Sequence, residues 1–261
     1  MIEMKYIRSF FPTAIAQENR FDRYMLKEYL QLLILDHLTT TPYMNKLSFI
    51  GGTNLRLIQG INRFSEDLDF DCKNLSKKEF VELTDSALLF LKENGLNAIV
   101  KEKESKRLTA FRRSIYFPEL LFELKLSGYR EERLLIKIEA QDQGVNYTPK
   151  TINVGGCGFF FPLQVPPDEI LCAMKLSALL SRHKGRDFYD SMFLLQQTEP
   201  CLDFLKALHG IKTKGELKKA LLQVADSTNL NVKKRDFEHL LFNVRSSEKI
   251  LHFKEFIESR W

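Results

Sequence analysis

Leu47-Ser-Phe-Ile-Gly-Gly-Thr-Asn-Leu55, followed seven residues later by Arg63-Phe-Ser-Glu-Asp-Leu-Asp-Phe-Asp71, decides how this chain of 261 residues is read. Leu47–Ile50 has the composition of a short strand, Gly51–Asn54 that of a tight turn, and Leu55–Gln59 that of a short helix. Leu68–Asp71 reads as a second strand, in which successive side chains alternate faces. Asp67 and Asp69 then project to one side while Leu68 and Phe70 face the core. Two carboxylates so placed repel unless cations lie beside them, and they suit divalent ions held against a bound triphosphate. The glycine pair lets backbone approach phosphate oxygens closely, with the Thr53 hydroxyl and nearby helix N–H groups as donors. A lone Asp-x-Asp is usually solvated surface and a lone Gly-Gly an ordinary turn; the combination carries the signal. Asp71 shares the acidic face and reads as a further ligand or, preferably, as a supporting or surface residue.

Outward from this core, residues 22–38 place Leu26, Tyr29, Leu30, Leu33 and Ile34 at helical spacing, with Lys27, Glu28 and Gln31 between them. Ser76-Lys-Lys-Glu79 has the spacing of a capping box, opening a helix that ends near Gly95. Strand-like runs follow at Asn97–Val100, Thr109–Phe117, Leu120–Leu126 and Leu134–Ala140. The last contains Glu139, either a third metal-binding carboxylate or an acid balancing Lys137 on the same strand face. Gly155–Gly158 reads as a loop, and Pro166-Pro167-Asp168-Glu169 as a helix start. From there nearly everything is helical. The expected fold is α+β: a mixed sheet with flanking helices over residues 1–163, then an α-helical domain over 164–261.

The hydrophobic fraction of 44% and charged fraction of 28% belong to a folded globular protein rather than a disordered one. The net charge of +5 is uneven: residues 101–137 hold ten basic against six acidic residues, and 201–261 hold twelve against eight. This favours phosphate-rich partners, although such an excess is also common on solvated surfaces. Cys72, Cys157, Cys172 and Cys201 form no C-x-x-C pair, and the five histidines show no ligand spacing, which argues against zinc and disulfide frameworks. Phe159-Phe-Phe161 reads as core or interface packing. No signal peptide or membrane span is visible, so a cytoplasmic protein without membrane contact is expected.

Gly51-Gly-Thr-Asn-Leu55 and Arg63–Phe70 resemble the first two motifs of the AbiEii toxin family, within the polymerase-beta-like nucleotidyltransferase superfamily. The family's third motif, a helix with an essential Lys, is resembled by Lys175-Leu-Ser-Ala-Leu179. Its fourth, Arg-Asp-x-x-Asp, is matched by Arg186-Asp187-Phe-Tyr-Asp190. All four occur in order between residues 51 and 190; residues 1–40 and 195–261 are covered only by the expectation of flanking helices. Thr53 stands where Ser is frequent in the superfamily, and Glu139 where Asp is frequent.

The resemblance implies transfer of a nucleoside monophosphate from an NTP to an acceptor hydroxyl, with Mg²⁺ or Mn²⁺ held by Asp67, Asp69 and Glu139. Gly51, Gly52, Thr53, Arg63, Lys175 and Arg182 are then the nucleotide-binding candidates. Lys175 stabilises charge on the transferring group and pyrophosphate, with the helical domain completing the site. Lys175 and Arg182 lie seven apart on one helix and share a face, with Lys184 and Arg186 beyond; alone, such a stripe is a solvent-exposed basic face. Asp187 either orients Lys175 or accepts the acceptor's proton, Asp190 caps or pairs with an Arg, and Arg63 contacts phosphate or a core carboxylate. The resemblance further implies a toxin of a toxin–antitoxin or phage-defence pair, acting on the 3′ end of tRNA, with a cognate antitoxin. The alternatives are a non-catalytic binding module of the same fold and a small-molecule nucleotidyltransferase.

Overall fold

A computed structural model describes residues 2–101 and 110–261, Lys101 by its backbone alone. The chain forms two compact units. The first runs to Val165, leaving out Gly60–Arg63 and Val145–Thr148; the second joins those two short segments to Pro166–Trp261.

In the first unit, helices α1 (Met4–Arg8), α2 (Thr13–Ala16) and α3 (Asp22–Thr39) precede strand β1 (Leu47–Ile50), helix α4 (Gly51–Leu57), strand β2 (Asp67–Cys72) and helix α5 (Lys77–Glu93). Strands β3 (Ile99–Lys101) and β4 (Phe111–Phe117), helix α6 (Leu120–Glu123), and strands β5 (Leu134–Gln141), β6 (Lys150–Gly156) and β7 (Phe159–Val165) complete it. Five strands form one mixed sheet in the order β1-β2-β5-β4-β3. Among the described residues only β2 and β5 pair in parallel. The alternation is clean in β5, where Leu134, Ile136, Ile138 and Ala140 are buried and the residues between them are not.

Helix α3 is more deeply buried than an amphipathic surface helix. Glu28 and Gln31 lie inside with the leucines, each with a partner: Glu28 takes Arg56 Nε at 2.8 Å and Nη2 at 3.0 Å, and Gln31 donates to the Ser65 carbonyl at 3.3 Å. In α5 the capping box forms as the sequence indicates, with Ser76 accepting from the Glu79 N–H and Glu79 from the Ser76 N–H.

Three local expectations are corrected. Gly51–Asn54 is the first turn of α4 rather than a separate turn, because Gly51 takes φ +81 and turns the chain directly from strand into helix. The Leu120–Leu126 run is not a strand. Glu119 and Lys125, both left-handed at φ +61 and +59, bracket the single turn of α6, and the N–H groups of Leu126 and Ser127 close onto the Leu121 carbonyl at 2.7 and 3.1 Å. A residue with a Cβ costs about 1 kcal/mol more than glycine in this backbone region. Finally, Gly155 and Gly156 belong to β6, and Cys157-Gly158, both at positive φ, make the two-residue turn of a β6–β7 hairpin. Within that hairpin Phe161 is buried while Phe160 is 74% exposed, so the phenylalanine cluster divides by strand alternation.

The second unit is built from α7 (Asp168–Arg182), α8 (Gly185–Leu195), α9 (Leu202–His209), α10 (Lys214–Asp226), α11 (Leu230–Lys233), short 3₁₀ turns and α12 (Phe253–Arg260). Leu176, Leu179, Phe188, Phe204, Leu217, Leu221, Phe253 and Ile257 are fully buried in its core. The corner between α7 and α8 is tight: His183 is left-handed, and a Cβ on Gly185 would lie 1.9 Å from the Lys233 carbonyl oxygen. Among the described residues no helix is long and apolar enough to cross a membrane.

Removing the α5 cap in Ser76→Ala is expected to cost about 1 kcal/mol, read as a fall in melting temperature of roughly 2–4 °C.

Candidate active site

In the first unit, β2 runs between β1 and β5, with Asp67 opposite Lys137 and Asp69 opposite Glu139. Leu68 and Phe70 are buried in the core, and Asp67 and Asp69 stay half-buried on the other face. Two rows of side chains therefore cross the sheet: Asp69, Glu139 and Arg112, and beside it Asp67, Lys137 and Ser114. Lys137 Nζ is 2.8 Å from Asp67 Oδ2, and Arg112 donates to Glu139 Oε2 from Nε at 2.7 Å. The guanidinium of Arg112 is held above its ordinary pKa, chiefly by the Glu139 hydrogen bond, with burial opposing and the charges of Glu139, Asp67 and Asp69 adding to it. The alternative that paired Glu139 with Lys137 is replaced by a crossed arrangement, because each acid meets the cation across the ladder rather than along its own strand.

Gly51 sets the position of Asp69. A Cβ built on Gly51 would lie 2.3 Å from Asp69 Oδ2, so the carboxylate occupies the space that any other residue would fill. Thr53 is fully buried and its hydroxyl donates to the Asp67 carbonyl. This corrects the expectation that the hydroxyl faces phosphate: its one proton is used in tying α4 to the start of β2. Asn54 likewise donates to the Phe49 carbonyl at 2.7 Å, fixing the end of β1. Gly52 is half-buried in the first turn of α4. Asp71 is buried and accepts the Gln143 N–H at 2.9 Å, a loop-holding role rather than a surface one.

Among the described residues no trio of His, Cys, Asp or Glu side chains converges as a metal cluster. Asp67 and Asp69 nonetheless offer hard oxygen donors on one face, and Gly51 leaves room for the Asp69 carboxylate, so the pair fits a Mg²⁺-type ion. Glu139 is committed to Arg112.

In the second unit, Lys175 is 7% exposed and its Nζ lies 3.0 Å from Asp190 Oδ2. Arg63 grips the same carboxylate in a fork, Nε to Oδ1 at 2.8 Å and Nη2 to Oδ2 at 2.6 Å. Burial alone would raise the pKa of Asp190, but the charges and hydrogen bonds of Arg63 and Lys175 outweigh it and hold it at about 2. Arg63, a nucleotide-binding candidate in the sequence, is thus a fully buried partner of Asp190. Asp187, also fully buried, accepts from Arg182 Nε at 2.8 Å and Nη2 at 2.7 Å. The residue that holds Lys175 is therefore Asp190, not Asp187. The Arg182 side chain is 43% exposed beyond its fork. Lys137 was legible beside Glu139 from their spacing of two, but its pairing with Asp67 was not, and nothing in the sequence pairs Arg112 with that strand.

The model of the family described as "Nucleotidyl transferase AbiEii toxin, Type IV TA system" matches residues 33–258. No curated protein matches the chain. Among solved structures, the nucleotidyltransferase toxin MenT4 of Mycobacterium tuberculosis H37Rv is similar at 17% identity and a TM-score of 0.63, over 99% of this chain and 90% of that one. JHP933 from Helicobacter pylori is similar at 19% identity and a TM-score of 0.54, over 91% of each chain. At these identities the two structures support the fold.

Two substitutions test the geometry. Gly51→Ala is expected to cost about 1–2 kcal/mol in backbone strain alone and to displace Asp69, so that transfer activity falls far more than the melting temperature. Asp190→Asn leaves Arg63 and Lys175 buried without their carboxylate, at about 3–5 kcal/mol. Because the folded pKa of Asp190 lies below its ordinary 3.8, at about 2, the stability it contributes is present above pH 3.8 and lost as pH falls toward 2. Denaturant titrations stepped through that window should show the loss in the wild type and a flatter profile in Asp190→Asn.

Proposed function

Because the chain belongs to the nucleotidyl transferase AbiEii toxin family, we propose that it moves a nucleoside monophosphate from an NTP to a hydroxyl at the 3′ end of tRNA, using Mg²⁺ or Mn²⁺ held by Asp67 and Asp69. The observation that carries this reading is the Asp69 carboxylate seated against Gly51, with Asp67 on the same face of β2 and Lys137 and Arg112 alongside. Two carboxylates suffice, since Mg²⁺ is commonly held by one or two acids together with substrate phosphates. Such an ion supplies charge that lowers the pKa of an acceptor hydroxyl and offsets the triphosphate.

The chain's own groups have separable tasks. Lys137 and Arg112 offset the mutual repulsion of the acids. Thr53 and Asn54 anchor α4 to β1 and β2, so that Gly51 keeps its backbone beside the Asp69 carboxylate. Lys175, steadied by Asp190 and Arg63, is the cation assigned to charge on the phosphate oxygens, and Arg182, steadied by Asp187, to a further phosphate contact. The acceptor oxygen forms a bond to the α-phosphorus, the bond from that phosphorus to the bridging oxygen breaks, pyrophosphate leaves with the electron pair, and the acceptor's proton passes to solvent. The basic excess of residues 101–137 and 201–261 favours an RNA acceptor over a small molecule. A cognate antitoxin is the expected protein partner, in a toxin–antitoxin or phage-defence pair.

The test is incubation of the purified chain with total tRNA, Mg²⁺ and each α-labelled NTP in turn, beside Asp69→Ala. Label on tRNA with the wild type, reduced by about a hundredfold or more in the variant, is the expected result. Label on no RNA with any NTP would overturn the acceptor assignment, and label unchanged in Asp69→Ala would overturn the site.

A further inference from the structure

The first unit carries another cationic cluster, made of none of the active-site residues. A cavity of about 430 Å³ opens beside α1, the start of α3 and the turn after α6, and Arg8, Asn19, Arg20, Arg23 and Lys125 are among the residues that line it. One carboxylate, Asp22, shares that wall, and Arg8 takes both of its oxygens, Nε to Oδ1 at 2.7 Å and Nη2 to Oδ2 at 2.5 Å. Asn19 Oδ1 also accepts from Arg8, at 3.0 Å, which turns the donating end of that amide the other way. Arg23 is braced by Glu132 and by the Leu126 carbonyl, and Arg20 through its Nε by Glu18. Both oxygens of the Asp22 carboxylate are thus turned to Arg8, and the wall residues keep further donors: Nη1 of Arg8, the Asn19 amide, the terminal nitrogens of Arg20, whose guanidinium lies 4.2 Å over the Phe21 ring, and the Lys125 ammonium.

Lys125 is the informative member. It holds the left-handed conformation at φ +59, where glycine would sit without strain, and among the described residues its ammonium makes no hydrogen bond or ion pair. The turn itself does not need a lysine, and the side chain is exposed. We infer that this cavity binds a phosphate group, carried either by a nucleic-acid backbone or by a free nucleotide. Four donor-bearing side chains arriving from three segments match tetrahedral oxygens better than the two coplanar oxygens of a carboxylate, and the volume leaves room for an attached sugar.

The experiment uses the full chain without divalent cations, so that metal-dependent nucleotide binding at Asp67 and Asp69 does not contribute. Inorganic phosphate, AMP and a short single-stranded RNA are titrated in turn into the wild type, Lys125→Gly, Lys125→Arg and Arg20→Ala. Lys125→Gly relieves the turn, so its melting temperature should match or exceed the wild type while its affinity falls about five- to tenfold. Lys125→Arg should bind like the wild type, and Arg20→Ala should weaken binding as Lys125→Gly does. Weakening for RNA alone assigns the site to phosphodiesters of a strand, and weakening for AMP or phosphate as well assigns it to a terminal phosphate; both support the inference. Unchanged affinity of Lys125→Gly for all three probes, or no binding of any probe to the wild type at millimolar concentration, overturns it.

Discussion

At the strand spacing that separates Asp67 from Asp69, two bare carboxylates repel by about 0.6 kcal/mol in water and about 2 kcal/mol at a protein surface. The sheet of the first unit is laid out so that this repulsion is met at once. The parallel pairing of β2 with β5 brings Lys137 to Asp67 and Glu139 to Asp69, and the antiparallel pairing of β5 with β4 then brings Arg112 to Glu139. A slip of one residue between β2 and β5 would turn the acids into the core and the leucine and phenylalanine out of it. The same alternation that buries Leu68 and Phe70 therefore fixes the charges opposite them, and the fold and the acidic face have a common origin.

The second unit solves a related problem inside its own core. A buried carboxylate is costly unless it is paired and hydrogen-bonded, and Asp190 meets this with a bidentate arginine and a lysine together. The arrangement leaves Lys175 little conformational freedom, so its ammonium is fixed in place before any ligand arrives. Arg182 is steadied by Asp187 in the same way, one helical turn along α8 from Asp190. Preorganised cations of this kind contribute more to charge stabilisation than mobile surface lysines, because little reorganisation accompanies binding.

Much of this was legible in the sequence where local periodicity decides the outcome. The alternation in Asp67–Phe70 and the capping box at Ser76 depend only on neighbours along the chain, and the structure has both. Readings failed where a distant partner decides. Thr53 reads as a phosphate-facing hydroxyl until the Asp67 carbonyl takes its proton, and the sequence leaves Arg63 between phosphate and a core carboxylate until Asp190, 127 residues away, decides for the carboxylate. The Leu120–Leu126 run is apolar enough for a strand, but left-handed backbone at Glu119 and Lys125 closes it into a turn that no propensity announces. Arg112 was invisible for a similar reason: its role exists only because β4 pairs with β5 in one register.

Gly185 extends this lesson to the sequences that can adopt the fold. Its α-carbon faces the Lys233 carbonyl so closely that even a methyl group has nowhere to go, and Phe237 closes the other side. The corner it makes sets how α8 follows α7, and with it the spacing between Lys175 and Asp190. A chain that keeps this corner has freedom at many surface positions and none at this one. Position 185 is thus as restrictive a signature as the acids themselves, though it contributes no atom to any chemistry and marks only where a side chain cannot be.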